Sequence, residues 1–170
     1  MTLRDPPKQP DPLVNAVLSM IHGARQPPLR PASAAERWAM HVFRACGASG
    51  DLKTLEAWAE YVGVSYSSLR ESCRLLGIRP HDARDLTRVL RAVMRSALDD
   101  CPPWVLLDIS DSRTLRTLLE RSRIGAGVRP REISVEQFLS AQQFVPDGNA
   151  GLRVLRELLV SAATAGVEPV

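Results

Sequence analysis

Ser65, Tyr66, Ser67 and Ser68, followed by Arg70, Glu71 and Arg74, place hydroxyls, guanidinium forks and one carboxylate on a single short segment. This is the chemistry of recognition: a guanidinium pairs with a phosphate or with guanine O6 and N7, a carboxylate accepts from cytosine N4, and a hydroxyl serves either partner. Ser112, Arg113, Arg116 and Thr117 form a second, weaker set. Arg84, Arg88, Arg91 and Arg95 form a third, spaced so that on a helix they fall within an arc of about 60°.

Bond-making chemistry has far less to work with. His22, His41 and His81 are too scattered for a metal site, and Cys46, Cys73 and Cys101 stand far apart with no close pair. There is no nucleophile elbow, no Gly-rich phosphate loop and no paired carboxylate motif. The sequence therefore calls for no catalytic residue, no metal and no cofactor, and at least two cysteines are expected as small buried hydrophobes.

The elements that position these residues are helical. The 170 residues are 45% hydrophobic, 24% charged and only 5% aromatic, enough for one aliphatic core. Seven of the 13 prolines lie in the first 31 residues, so 1–32 reads as a Pro-rich arm. Within it Leu13, Val14, Val17, Leu18 and Ile21 predict one short amphipathic helix over 12–23. Ser33 and Glu36 fit a capping box for a helix over 34–47 with Trp38, Ala39, Val42, Phe43 and Cys46 on its stripe. Asp51 to Thr54 open a second helix, stopped by Gly63. Ser65 caps a third with Leu69, Cys73 and Leu76 inward, closed by Gly77.

A long fourth helix runs from Pro80 to about Leu98, with Ala83, Leu86, Leu90, Val93 and Ala97 apolar and the four arginines opposite. Such a stripe is either solvated or bound to phosphate, and Asp82, Asp85 and Glu120 could pair with neighbouring arginines and neutralise them. After Cys101-Pro102-Pro103 comes a short helix, a turn and a longer helix capped by Asp111 or Ser112. A capping box at Ser134 and Gln137 opens a helix, Pro146-Asp-Gly-Asn predicts a turn, and Leu152, Leu155, Leu158 and Leu159 mark the last helix. Trp38, Trp58 and Trp104 are expected in the core. No segment alternates as a strand, so the fold class is all-α, a helical bundle with two helix-turn-helix units joined by a long linker helix.

The stretch DLKTLEAWAEYVGVSYSSLRESCRLLG has the parts of a helix-turn-helix: small Ala59 at the crossing, Gly63 for the turn, Val64 between the helices. Over roughly residues 51–123 the chain resembles the DNA-binding part of the AraC-type family of bacterial transcription regulators. The resemblance lies in the order of a first helix-turn-helix, a Gly-Ile-Arg-Pro junction, the long helix HDARDLTRVLRAVMRSAL, and a second reader, PWVLLDISDSRTLRTLLERSRIG. It implies a recognition helix in each of two successive major grooves. The second unit lacks the family's Gly-Phe turn and aromatic pair.

The expected organisation is thus a Pro-rich arm over 1–32, an AraC-like DNA-binding region over 33–125 and a C-terminal helical extension over 126–170. Residues 65–95 carry a net +4 and residues 132–170 a net −3, which favours double-stranded DNA as the partner of the former and protein contacts for the latter. The function expected is sequence-specific duplex binding as a transcription regulator. The alternative is a helical protein-interaction adaptor that does not bind DNA, and a small enzyme stands third. A homodimer or protein partner through 12–23 or 132–170 is compatible with either of the first two readings. With no apolar signal-peptide core in MTLRDPPKQPDP and no membrane span, the expected location is cytoplasmic and nucleoid-associated.

Overall fold

The computed structural model describes residues 33–97, 101–125, 128, 130–144 and 146–165; the helix expected over 12–23 lies outside them. Among the described residues the fold is all-α, with eight helices and no strand. In chain order they are α1 (Ala34–Ala45), α2 (Leu55–Val62), α3 (Tyr66–Arg74), α4 (Pro80–Ser96), α5 (Pro103–Leu106), α6 (Ser112–Arg121), α7 (Val135–Ala141) and α8 (Pro146–Ala165), with a 3-10 turn at Pro130–Glu132. No helix among the described residues is long and apolar enough to cross a membrane.

Local chemistry sets most boundaries. Ser33 and Glu36 form a reciprocal capping box on α1, and Ser134 and Gln137 form another on α7. The Thr54, Ser65 and Asp111 side chains each accept the N3 backbone N–H of their helix. Gly63 ends α2 in the left-handed region at φ 75°, a conformation that costs any residue with a Cβ.

α4 occupies the centre, packed against α1, α2, α3, α5, α7 and the 3-10 turn. Its Ala83, Leu86, Val89, Leu90, Ala92, Val93 and Met94 are all buried, so the helix is covered on more than its apolar side. α1 and α8 form the most extensive helix pair. Among the described residues α7 and α8 share the hydrophobic cluster of the preceding helices: Phe138, Leu139, Leu152, Leu155 and Leu159 belong to it with Trp38, Val42 and Leu69. Cys46 and Cys73 are buried as expected, and burial pushes their thiols up to about 12 and about 11.

Two expectations are corrected here. Pro146-Asp-Gly-Asn is not a turn but the first turn of α8: Pro suits the first helical position and Asp147 suits the positive end of the dipole. Asn149 Oδ1 accepts the Phe144 N–H at 3.1 Å, tying down the preceding chain. Trp104 is not in the core but 54% exposed. On the single turn of α5 it is Leu106, with the following Leu107, that turns inward, and a residue two positions earlier falls on the opposite side.

Candidate nucleic-acid interface

α2 and α3 are joined by Gly63-Val64-Ser65 and contact one another. Ser65 Oγ accepts from Ser68 N at 3.0 Å, satisfying one of the donors that a helix start leaves free. Leu69, Ser72 and Cys73 face the core, and the Ser72 hydroxyl is spent on Leu69 O at 2.7 Å. Ser65, Tyr66, Ser67, Ser68, Arg70, Glu71 and Arg74 are all exposed, so every residue expected at this reading face is open to a partner.

Two contacts organise that face. The Arg70 guanidinium lies over the Tyr66 ring, 5.5 Å from its centroid, an arrangement that uses the flat of the fork and leaves its N–H donors free. Arg74 grips Glu71 with both ends of its fork, Nε to Oε2 at 2.7 Å and Nη2 to Oε1 at 2.6 Å. That hydrogen bond holds the Glu71 carboxyl below the usual carboxylate range and lifts Arg74 above its ordinary value. Ser67, Arg70, Glu71 and Arg74 share an open groove of about 470 Å³ with Ile78, Arg79 and Pro80.

The second set is also exposed but is divided. Arg113 and Thr117 line a cleft between α4 and α6, together with Arg84, Arg88 and Arg121. Ser112 and Arg116 border a separate hollow beside Leu115, Leu119 and Ile124. Of the two caps proposed for α6, Asp111 takes the position, its Oδ2 accepting Thr114 N at 2.7 Å. The Thr117 hydroxyl donates to Arg113 O.

The arginine stripe of α4 requires a correction. Arg88 and Arg91, expected to face outward toward phosphates, are 9% and 3% exposed. Arg88 donates from Nε and Nη2 to Asp51, with its shortest contact at 2.6 Å. Arg91 donates to Ala48 O at 2.7 Å, Leu106 O at 2.8 Å and Ser49 O at 2.7 Å, and Arg95 donates to Ala48 O at 2.9 Å. The cause is the loop after α1 and the α5 segment, which cover this side of α4. Helix ends and loops leave carbonyls without partners, and the guanidiniums supply the missing donors. Burial first, and then Arg95, push the Arg91 guanidinium below its ordinary value. Arg88 and Arg91 are therefore withdrawn from phosphate contact. Arg95 is partly so, and Arg84, engaged with Asp85, reaches only the cleft.

Sequence reasoning missed Arg79 and Arg121. Arg79, whose side chain is 84% exposed, joins the groove beside α3. Arg121 continues the spacing of Arg113 and Thr117 at four-residue steps along one face of α6, a signal present in the sequence. Among the described residues no group of His, Cys, Asp and Glu is placed to hold a metal ion. Comparison of the chain with family models, with curated proteins and with solved structures finds no match.

Proposed function

We propose that this chain is a sequence-specific duplex-DNA-binding protein that acts as a transcription regulator, with α3 entering a major groove N-terminus first and α6 serving as a second reader. The observation that carries the reading is the outward face of α3: hydroxyls at its first turn, Arg70 with free donors, and a Glu71 and Arg74 pair, all on the side opposite the buried Leu69 and Cys73. The order of α2, turn, α3, long α4, α5 and α6 supports an AraC-type arrangement, and α4 at 17 residues is about 25 Å long, a stiff spacer between the two readers. Arg70, Arg74, Arg79, Arg113, Arg116 and Arg121 are exposed cations suited to phosphates or base edges.

Selection from a random duplex pool with the full-length protein tests the reading. The expected result is convergence on a motif, with binding that weakens steeply in salt; about six phosphate contacts give a log–log slope of roughly −5. Trp104 and Val105, 54% and 56% exposed, favour a second reading as a protein-interaction adaptor. That reading expects no duplex binding even at low salt.

A further inference from the structure

The cleft between α4 and α6 encloses about 290 Å³ and is lined by Arg84, Arg88, Arg113 and Arg121 around the buried Asp85. We infer that it is a binding site for a phosphoryl group, presented either by a duplex backbone or by a free phosphate ester. The inference does not rest on DNA binding, since a free ester fills the same cleft.

The charges are arranged in two layers. The carboxylates are the more deeply buried, the Asp51 side chain being 1% and that of Asp85 5% exposed, while Arg88, Arg84 and Arg121 are 10%, 21% and 52% exposed. Asp85 Oδ1 accepts from Arg84 Nε at 3.1 Å and Nη2 at 2.7 Å, and its Oδ2 lies 2.9 Å from Arg121 Nη2. Asp51 holds Arg88 through Nε and Nη2. Arg84 and Arg121 are thus oriented by a carboxylate and retain N–H groups that are not spent on it, whereas Arg88, closed off by Asp51 and Leu107 O, forms the floor of the cleft.

Arg113 adds a fourth fork, with no side-chain partner among the described residues, on the helix that forms the opposite wall. Arg84, Arg113 and Arg121 outnumber Asp85 and Asp82, the latter 3.9 Å from Arg121, so the opening of the cleft carries a positive excess. A phosphate monoester carries about −1.5 to −2 near neutral pH and a backbone phosphodiester about −1, so either complements that excess, and planar forks fit its oxygens in pairs. Asp85 draws together the Arg84 and Arg121 guanidiniums, whose mutual repulsion an anion between them would relieve. The Thr114 and Thr117 hydroxyls donate to Asp111 and to Arg113 O, so the arginines are the recognition groups.

The test is the thermal midpoint of the full-length protein as inorganic phosphate replaces chloride at constant ionic strength, run for the wild type, Arg113→Gln and the exposed Arg153→Gln as control. A saturable rise is expected in the wild type and in Arg153→Gln, with the apparent Kd at least tenfold weaker in Arg113→Gln. Arg113 has no side-chain partner to lose among the described residues, so this variant keeps its fold. The same proteins are then tested on a labelled random duplex. Weaker duplex binding in Arg113→Gln, with phosphate competing against duplex, assigns the cleft to a backbone phosphate. Duplex binding that is absent or unchanged assigns it to a free ester. No saturable rise in the wild type, or one that Arg113→Gln leaves unaltered, overturns the inference.

Discussion

Arg88 holds a full charge where water barely reaches, and what stabilises it is Asp51, itself almost entirely enclosed. Removing one partner strands the other, so Arg88→Ala is expected to cost about 3–5 kcal/mol in urea unfolding. Asp51→Ala should cost a similar amount, and the double variant much less than the sum of the two. A uniform loss of duplex affinity with unchanged stability would instead restore Arg88 to the surface. His41 makes a different claim. Burial, then Arg44 and Arg37, push its imidazole down from 6.5 to about 4, and its Nδ1 has no hydrogen-bond partner among the described residues. The unfolded chain therefore takes up the proton first, so stability is full above pH 6.5 and falls as pH drops toward 4. At about 1.4 kcal/mol per unit, discounted for partial solvent access, the loss is on the order of 1–2 kcal/mol. His41→Asn should flatten unfolding free energy across that window. The capping side chains at Ser33, Ser65 and Ser134 were legible in the sequence because a cap is decided by residues three apart. The inward turn of Arg88 and Arg91 was not, because periodicity separates a polar face from an apolar one but does not reveal that a distant loop will bring bare carbonyls to it.

At the scale of elements, close approach governs α8. A Cβ added at Gly151 would stand 2.8 Å from Trp38 Cε3 and 3.0 Å from Leu76 Cδ1, both in the packed core. Gly151→Ala is expected to destabilise the fold by about 1–3 kcal/mol through overpacking, measured as a shift in the urea midpoint. Gly63→Ala tests a separate cause, since nothing lies within 4 Å of the added atom but φ is +75°. Its expected cost of about 1–2 kcal/mol comes from the backbone alone. The positions of α1, α2, α3, α4 and α6 follow from apolar spacing with Gly or Pro punctuation. The first turn of α8 did not emerge from the sequence because Pro-Asp-Gly-Asn is turn chemistry in isolation, and only the packing of Gly148 against Phe144 and Ile78 shows why a helix needs a glycine there. Trp104 was misplaced for a related reason: one helical turn offers too short a stripe to decide which side is inward.

At the scale of the molecule, among the described residues one core joins α1 to α8, so α7 and α8 stabilise the preceding helices, α3 included, rather than trailing from them. The all-α class was legible from periodicity throughout, whereas the pairing of the first and last described helices depends on long-range contacts that no local pattern encodes. Two clusters of surface cations stand out among the described residues, one in the groove beside α3 and one in the cleft beside α6, with the intervening α4 arginines largely taken inside. The central claim is that α3 reads base edges, and the most direct test compares wild type and Arg70→Ala by fluorescence anisotropy on a selected duplex and on single-base variants of it, at two salt concentrations. The account predicts that Arg70→Ala loses about 1–3 kcal/mol on the selected duplex and loses discrimination at one base position, with the salt slope little changed. An equal loss on every duplex, or wild-type protein that binds none of them at low salt, would contradict it.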